Sequence, residues 1–488
     1  MKSRTKALVV GVIAIAAMTL PLAASAEPVE DAVSTFTYTK NLHPLGYSAR
    51  IVPADNNAPN DGVFNSDLAF WGNTAVQGTY AGFRLVNVED PENPVEIINW
   101  EDCASPNNTQ GNQGDVIIWG DLIMRSWNSA TPASGSHCGD WPMAEGEEGV
   151  HVIDISDRLN PDVVAFVDTP CGSHTETLVP DLENGRLLIY SNSSSGAVLG
   201  GDPGGGEPPV SCRGFDIIEV PLDDPAAASY LRFEPAGDPA MPPEDHHPCH
   251  DTAVILGDVN RVACAGSGSA HAAEGANIFS IDPAEGGSKE NPLWLHHIET
   301  RGVSLGHSAS FTWDGKIVVI GHEPGGGSGA RCEATDDPLE RTFFFHDTET
   351  GEELGAFTIP RPQSNVENCT THNYNVVPTD KRYVMVSGNY QSGISVVEFT
   401  DPMKAKEIAF ADPAPLVDPN PPDGIELGGD WSSYWYNGRI YESDILRGLI
   451  IWKLSDNAVA GARRLGHLNP QTQETSFPFK GTAFGKSR

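Results

Sequence analysis

The sequence predicts an all-β protein that folds as a single seven-bladed β-propeller of four-stranded blades. The main evidence is a β-branched run followed by a turn rich in Asp, Pro and Asn, which returns seven times along the chain. A β-hairpin pattern precedes each copy, so each repeat holds four short strands, the content of one blade. No sustained amphipathic helical period interrupts the series. The seven copies lie at residues 83–97, 150–166, 215–225, 277–295, 342–357, 394–410 and 449–456.

Other all-β architectures fit this pattern less well. A jelly roll or tandem sandwiches would not predict sevenfold repetition. The length alone suggests about three domains, but repeats of this kind bury their faces only against one another, which favours one closed ring. The unequal spacing of the repeats comes from Gly- and Pro-rich insertions such as residues 200–212 and 323–332.

The N-terminal segment predicts export. Lys2, Arg4 and Lys6 precede an apolar run, and the small residues at 24–26 offer a cleavage site. A membrane anchor is the weaker interpretation because the run is short and is broken by Pro21. No later stretch approaches the roughly 18 apolar residues that a membrane span requires. We therefore expect a secreted protein, or one on the exterior of the cell envelope.

These observations divide the chain into four parts. We predict a signal peptide at 1–26, an N-terminal extension at 27–41, the propeller at 42–470 and a C-terminal tail at 471–488. The seventh repeat lacks an outer strand of its own, and residues 42–52 compete with residues 462–470 to supply it. Closure by the N-terminal strand leaves no open sheet edge and is preferred.

The acidic composition excludes some partners. A formal net charge of −36 argues against binding nucleic acid or an anionic membrane through bulk electrostatics. A solvated acidic surface suited to a salty medium explains this charge better than attraction to cations. We expect a monomer whose small-molecule or cell-surface partner the sequence does not identify.

The cysteines favour disulfide bonds. An even number of cysteines in an exported chain is typical of disulfides rather than free thiols, and pairing in sequence order is favoured, although the connectivity stays open. Mixed thiolate and imidazole metal ligation by the CGSH and CTTH segments is the weaker alternative, because no CxxC knuckle is present. The eight residues are Cys103, Cys138, Cys171, Cys212, Cys249, Cys264, Cys332 and Cys369.

Four histidines occupy the same position in consecutive repeats. His174, His250, His307 and His372 each open the first strand of a hairpin. The first strand of a propeller blade is innermost, so these imidazoles should meet at one mouth of the central channel. When the repeats are aligned on the glycines of their hairpin turns, Gly315 and Gly438, Asp430 of the seventh blade occupies the same position as His307. Such a set suits a borderline divalent ion such as zinc, copper or iron.

The alternative for these histidines is structural, with hydrogen bonds across the mouth that hold the blades together. If a metal is bound, its open side should face Asn112 and the Phe64/Asn65 region. Further polar groups map to the same mouth and are candidates to orient the ligands, or are simply solvated. They are His322, Glu323, His271 and Glu442, together with Asn389, Asp444, His246 and His247.

The third strand of each repeat resembles the LVIVD repeat of exported bacterial and archaeal propellers. The segments HPCHDTAV, FTWDGKIVVIGHEPGGG and WSSYWYNGRIYESDILRGL are similar to a secreted bacterial branch of that family. The resemblance covers roughly residues 40 to 456; it implies the architecture and no agreed reaction. We expect an exported metalloprotein, an oxidase or a hydrolase, if the histidines converge. An extracellular binding or adhesion module would instead expose a large apolar patch, and a structural envelope component would show neither feature.

Overall fold

The computed structural model describes most of the predicted propeller. The predicted signal peptide lies outside the described residues, as do Asn112, Cys212, His246, His247 and His271. The described residues are 28–50, 64–104, 113–128, 130–132, 135–192, 214–231, 242, 248–266, 275–324, 327, 329–415 and 428–475.

The protein is all-β and is built of many small antiparallel sheets in a β-propeller-like arrangement. A short helix α1 (Val29–Ala32) and the strands β1 (Thr37–Tyr38) and β2 (Leu42–Ala49) precede the first unit. The first unit contains β3 (Asn65–Trp71), β4 (Thr74–Thr79), β5 (Gly82–Asn87) and β6 (Val95–Trp100). The second contains β8 (Val116–Trp119), β9 (Leu122–Trp127), β12 (Gly149–Asp154) and β13 (Asp162–Asp168). Between them lies a small sheet of β7 (Cys103–Ala104), β10 (His137–Cys138) and β11 (Trp141–Pro142).

The same four-stranded pattern continues along the chain. The third unit contains β14 (Glu176–Asp181), β15 (Arg186–Ser191), β16 (Asp216–Pro221) and β17 (Ser229–Leu231). The fourth contains β18 (Cys249–Leu256), β19 (Arg261–Gly266), β20 (Gly275–Ser280) and β21 (Leu293–Glu299). The fifth contains β22 (Gly306–Phe311), β23 (Ile317–His322), β24 (Thr342–Asp347) and β25 (Glu353–Thr358).

The last two units share one continuous sheet. The sixth unit contains β26 (Asn373–Val376), β27 (Val384–Gly388), β28 (Ile394–Glu398) and β29 (Lys406–Asp412). The seventh contains β30 (Asp430–Tyr436), β31 (Arg439–Asp444) and β32 (Gly448–Leu454). Five short 3-10 helices occur among the described residues, at Leu182–Asn184, Pro225–Ala227, Pro338–Arg341, Pro402–Lys404 and Asn457–Val459.

The first strands of the units form the centre of the arrangement. Each contacts the first strand of the following unit, and β30 of the seventh unit contacts β3 of the first. Each sheet is covered on both faces by its two neighbours, and apolar side chains fill the spaces between the sheets. Between the seventh and first units, for example, the rings of Phe70 and Tyr436 stack with centroids 4.6 Å apart.

The N-terminal segment completes the seventh unit. Strand β2 pairs antiparallel with β32, with Leu42 opposite Leu454 and Ala49 opposite Gly448, so the preference for closure by the N-terminal strand is confirmed. The predicted extension before it is also ordered: β1 adds a fifth strand beside β29 of the sixth unit.

The C-terminal segment enters the central channel. Strand β33 (His467–Leu468) pairs with β3, and β34 (Thr472–Glu474) pairs in parallel with β18. Two side-chain amides in this segment bind the backbone of first strands, because they offer a donor and an acceptor as a strand does. Asn469 pairs with Ile118, and Gln473 pairs with Phe311. Residues 471–475, expected as a tail, therefore belong to the fold.

Three disulfide bonds lie within the described residues: Cys103–Cys138, Cys249–Cys264 and Cys332–Cys369. They follow the favoured sequence order and fit an extracellular protein. Cys171 is also disulfide-bonded, and its predicted partner Cys212 lies outside the described residues. Among those residues, the protein has no helix that is long and apolar enough to cross a membrane.

Candidate metal centre

Four buried imidazoles stand side by side in consecutive units, and we call them the imidazole layer: His174, His250, His307 and His372. Their ring centroids follow one another at 4.6, 4.1 and 4.3 Å. None is more than 8% exposed. The repeat position thus brings together all four histidines that the sequence singled out.

β-Bulges at the starts of the first strands shape this layer. The register of β18 shifts between Cys249 and Asp251, and that of β22 shifts between Gly306 and Ala309. A bulge leaves its extra residue unpaired and re-aims the side chain. His250 and His307 are bulge residues. Their backbones are left out of the ladder, and their rings face the channel.

Hydrogen bonds fix the tautomers of two imidazoles. The Ser308 hydroxyl donates to Asn373 Oδ1 at 3.0 Å, so His307 Nδ1–H must donate to Ser308 Oγ at 2.5 Å. His372 Nδ1–H donates to the carbonyl oxygen of Trp431, also at 2.5 Å. In both rings the lone pair is therefore on Nε2, which is the atom left for a metal ion.

The other two imidazoles are bonded to each other. Asn128 Oδ1 accepts from the backbone N–H of Gln113 at 2.6 Å, so its amide Nδ2 donates to His174 Nδ1 at 3.2 Å. His174 Nε2–H then donates to His250 Nε2 at 3.1 Å. An ion bound at His250 Nε2 would replace this hydrogen bond, because both use the same lone pair.

A carboxylate completes a group with the spacing of metal ligands. Glu323, at the end of β23, brings Oε2 to 3.6 Å from His307 Nε2, and its Oε1 lies 3.9 Å from His372 Nε2. One ligand atom each from His250, His307 and Glu323 lie within 4.8 Å of one another. Two imidazoles and a carboxylate, all buried, match the donor set of known metal centres.

Tyr390 supports this carboxylate from the sixth unit. Its hydroxyl donates to Glu323 Oε1, and its ring lies 4.4 Å from that of His372. The backbone of Tyr390 has a φ of 49°, which is strained for an aromatic residue. The surrounding structure holds this conformation in place: Tyr390 and Asp430 exchange backbone hydrogen bonds between the sixth and seventh units.

Burial keeps the site uncharged. It lowers the pKa of His372 to about 3 and that of His174 to about 4, and it lowers the pKa values of His250 and His307 well below their usual range. Burial also raises the pKa of Glu323 to about 8, although the Tyr390 phenol acts in the opposite direction. The imidazoles are neutral at physiological pH, the state that binds metal ions.

Asp430 lies away from this group. Its Oδ2 accepts from Ser433 Oγ at 2.6 Å, and its carboxylate packs on the Cα of Gly388 between the sixth and seventh units. Glu442 lies in the same interface, where Oε2 accepts from the Trp452 indole at 2.7 Å. The position next to His372 is instead taken by Trp431, whose ring centroid is 5.1 Å from that of His372.

The other predicted supporting residues have different partners. His322 points outward, where Nε2 accepts from the backbone N–H of Ser304 and Nδ1 donates to the carbonyl oxygen of Leu339, both at 3.0 Å. Asn389 donates to Ser387, and Asp444 pairs with Arg447 at 2.8 Å. Of the predicted supporting residues that the structure describes, Glu323 alone approaches the imidazole layer, and it does so as a candidate ligand.

An apolar wall borders the site on the side that the sequence expected to be open. It consists of Phe64, Tyr80, Tyr390, Ile445 and Leu446, with Trp431 packed against it. Asn65 is turned away and accepts from Arg50 Nη1 at 3.0 Å. Large apolar side chains exposed elsewhere on the described surface are in separate places, at Tyr38, Val95, Leu159, Leu182 and Met403.

Comparison with known proteins gives no family. No protein-family model matches the chain, and no curated protein matches it. Among solved structures it is similar to the computationally designed Ika8 protein, at 10% identity and a TM-score of 0.41 over 80% of this chain and 96% of that one. It is also similar to Sqt1 of Saccharomyces cerevisiae, at 9% identity and a TM-score of 0.43 over 80% and 84%.

A third similar structure is a proposed 6-phosphogluconolactonase of Bacteroides fragilis. It is 11% identical with a TM-score of 0.43, over 85% of this chain and 98% of that one.

Proposed function

We propose that this protein is an exported metalloprotein that binds one divalent transition-metal ion at the mouth of a seven-bladed propeller. The observation that carries the proposal is the meeting of ligand atoms from His250, His307 and Glu323 within 4.8 Å. An ion bound through His250 Nε2 would replace the hydrogen bond between His174 and His250, and it would displace the proton that burial favours on Glu323.

The architecture in this proposal is a closed ring of LVIVD-type blades. The cyclic contacts of the first strands, from β3 through β30 and back to β3, support seven blades. The disulfides support an oxidising compartment. The charged and then apolar N-terminal sequence supports export by a signal peptide.

The donor set favours a borderline ion, namely zinc, copper or iron. His307 and His372 already present Nε2 lone pairs, each held in that tautomer by a hydrogen bond on Nδ1. A bound ion of this class supplies Lewis-acid or redox chemistry. The Phe64–Tyr80–Trp431 wall beside the site would exclude water and favour an apolar substrate surface.

Metal analysis of purified variants tests this function. We expect one transition-metal ion per wild-type chain by inductively coupled plasma mass spectrometry. His307→Ala and Glu323→Gln should lose it, because each removes a member of the three-ligand group. His174→Ala and Asp430→Asn are the matched controls: they change a buried imidazole and a buried carboxylate outside that group, and they should keep the ion.

Two results would overturn parts of this proposal. Loss of the ion in His174→Ala with retention in Glu323→Gln would replace the three-ligand group by a site built from the four imidazoles. A wild-type protein that takes up no zinc, copper or iron would overturn the metal function. In that case the extracellular binding module takes its place.

A further inference from the structure

A second, chemically different set of ligands faces the channel next to the imidazole layer. The cavity bordered by His174, His307 and His372 is bordered on its other sides by Asp67, Asp115, Thr175, Asn373 and Gln471. We call this space the axial chamber. Its imidazole side offers nitrogen donors, whereas the remaining walls named here offer oxygen donors.

Two buried carboxylates of the chamber lie close together. Asp67 Oδ1 accepts from the backbone N–H of Leu68 at 2.7 Å, and Oδ2 accepts from the Tyr434 hydroxyl at 3.0 Å. Asp115 Oδ2 accepts from the backbone N–H of Glu176 at 2.6 Å. The two side chains are 3% and 7% exposed. Burial raises the pKa of Asp67 to about 6, and burial together with the neighbouring Asp67 raises the pKa of Asp115 well above its usual value.

Positive charge near these carboxylates comes from Arg125. Its guanidinium donates to the carbonyl oxygens of Thr79, Gly82 and Ser126. A third buried carboxyl group, Asp251, lies near Asp115; burial raises its pKa to about 8, and its Oδ2 has no hydrogen-bond partner among the described residues. One guanidinium does not balance three carboxylates when all are ionised.

Gln471 supplies an independent indication of a ligand. It lines the chamber, is 7% exposed, and its side-chain amide makes no hydrogen bond to any described residue. The unpartnered amide is accessible from the chamber and is available to a ligand there. The backbone of Gln471 has a φ of 57°, and its carbonyl oxygen accepts from Val254 N–H at 2.7 Å. The chain is therefore fixed on β18 while a strained residue presents its amide to the chamber.

We propose that the axial chamber binds a hard cation such as Ca²⁺ through the side-chain oxygens of Asp67, Asp115 and Gln471. Oxygen-only donors select hard cations, whereas the imidazole layer selects borderline ions. The cation would tie the first unit, the second unit and the C-terminal segment together at the channel axis. Calcium should therefore stabilise the fold, because it binds the folded state only.

Calcium binding to the full mature chain tests this site. After removal of metals with EGTA, CaCl₂ should raise the melting temperature of the wild type, and isothermal titration should give one site per chain. Asp67→Asn and Asp115→Asn should weaken calcium at least tenfold. Gln471→Asn should weaken it as well, since Asn tolerates a positive φ but withdraws the carbonyl oxygen by one methylene group. Glu442→Gln, a buried carboxyl outside the chamber, is the matched control and should bind calcium as the wild type does.

The outcomes separate this site from the transition-metal site. His307→Ala and Glu323→Gln should keep the calcium response, so a failure of the transition-metal proposal would leave it intact. A wild-type melting temperature that is equal in CaCl₂ and EGTA, with no heat of binding, would overturn the calcium site. Equal calcium affinity in Gln471→Asn and wild type would remove Gln471 from the ligands, even if the aspartate variants fail to fold.

Discussion

Replacement of Asn469 by Ala should destabilise the protein more than a surface substitution does. Asn469 Oδ1 accepts from the backbone N–H of Ile118 at 2.7 Å, and its Nδ2 donates to the carbonyl oxygen of the same residue at 2.9 Å. Asn469 is 2% exposed and Ile118 is fully buried. Alanine would therefore leave two buried backbone groups of β8 without partners.

The magnitude follows from those two groups. A buried donor or acceptor that loses its partner costs about 1–3 kcal/mol, so we expect a loss of about 2–4 kcal/mol in the free energy of unfolding. The matched control is Asn93→Ala, which removes an exposed side-chain hydrogen bond to Asp90. Its cost should be about 0.5 kcal/mol or less.

Guanidinium denaturation monitored by tryptophan fluorescence is the assay. The denaturation midpoint of Asn469→Ala should fall while the slope of the transition stays unchanged, because the surface exposed on unfolding is the same. A midpoint equal to that of Asn93→Ala would refute the reasoning. It would show that the C-terminal segment lies in the channel without stabilising the first strands.

Three further predictions concern single side chains and the thiols. Tyr390→Phe should weaken transition-metal affinity about tenfold, because a partner that orients a ligand is worth about 10–100-fold; Tyr38→Phe at the surface is the control, and equal affinities would contradict the role of Tyr390. Burial raises the pKa of Glu442 to about 8, so folding favours its protonated form and this stabilisation is lost as the pH rises from about 4.5 through 8. Denaturation midpoints should therefore show Glu442→Gln more stable than the wild type at pH 8 and equal to it near pH 5, whereas a constant difference would contradict the shift. Alkylation of the unreduced protein should label no cysteine by mass spectrometry, and one fully labelled thiol would contradict the disulfides.

The repeat position predicted which histidines converge but did not place Asp430. The sequence alignment counted residues back from the turn glycines Gly315 and Gly438. Structural pairing places Gly306 opposite His322 and Asp430 opposite Asp444. Asp430 therefore matches Gly306, and Trp431 takes the histidine position. Each of the two bulges adds one residue, but the turn between β22 and β23 is longer than the two-residue turn between β30 and β31, so Gly315 and Gly438 do not occupy equivalent positions in their hairpins.

Whether His322 or Glu323 faces the imidazoles depends on which side of the sheet each side chain points to. His322 and Glu323 are adjacent in sequence, and both were assigned to the channel mouth. In the structure His322 turns toward Ser304 and Leu339, while Glu323 reaches the imidazoles. Successive side chains at the end of a strand point to opposite sides, so only the register of β23 decides which of the two faces the site.

The C-terminal segment lacked the signal by which the sequence predicted its strands. LNPQTQET has no run of β-branched apolar residues, so it was assigned to the tail beyond residue 470. It nevertheless carries amides at every second position, Asn469, Gln471 and Gln473. The first and third bind the backbone of Ile118 and Phe311, and the second faces the axial chamber. An alternation of amides was the available signal, because a side-chain amide can replace a strand at an unpaired sheet edge.

The bulges also explain how one channel offers two kinds of ligand. In a regular strand only every second side chain faces the same side, so a first strand would contribute one residue near the mouth. At a bulge two consecutive residues oppose one partner, and His250 is followed by Asp251 at the bulge of β18. Nitrogen donors and oxygen donors therefore occupy adjacent levels of the channel. The bulge of β18 thus places a nitrogen donor of the imidazole layer next in sequence to a carboxyl group that lies near Asp115, one of the proposed calcium ligands.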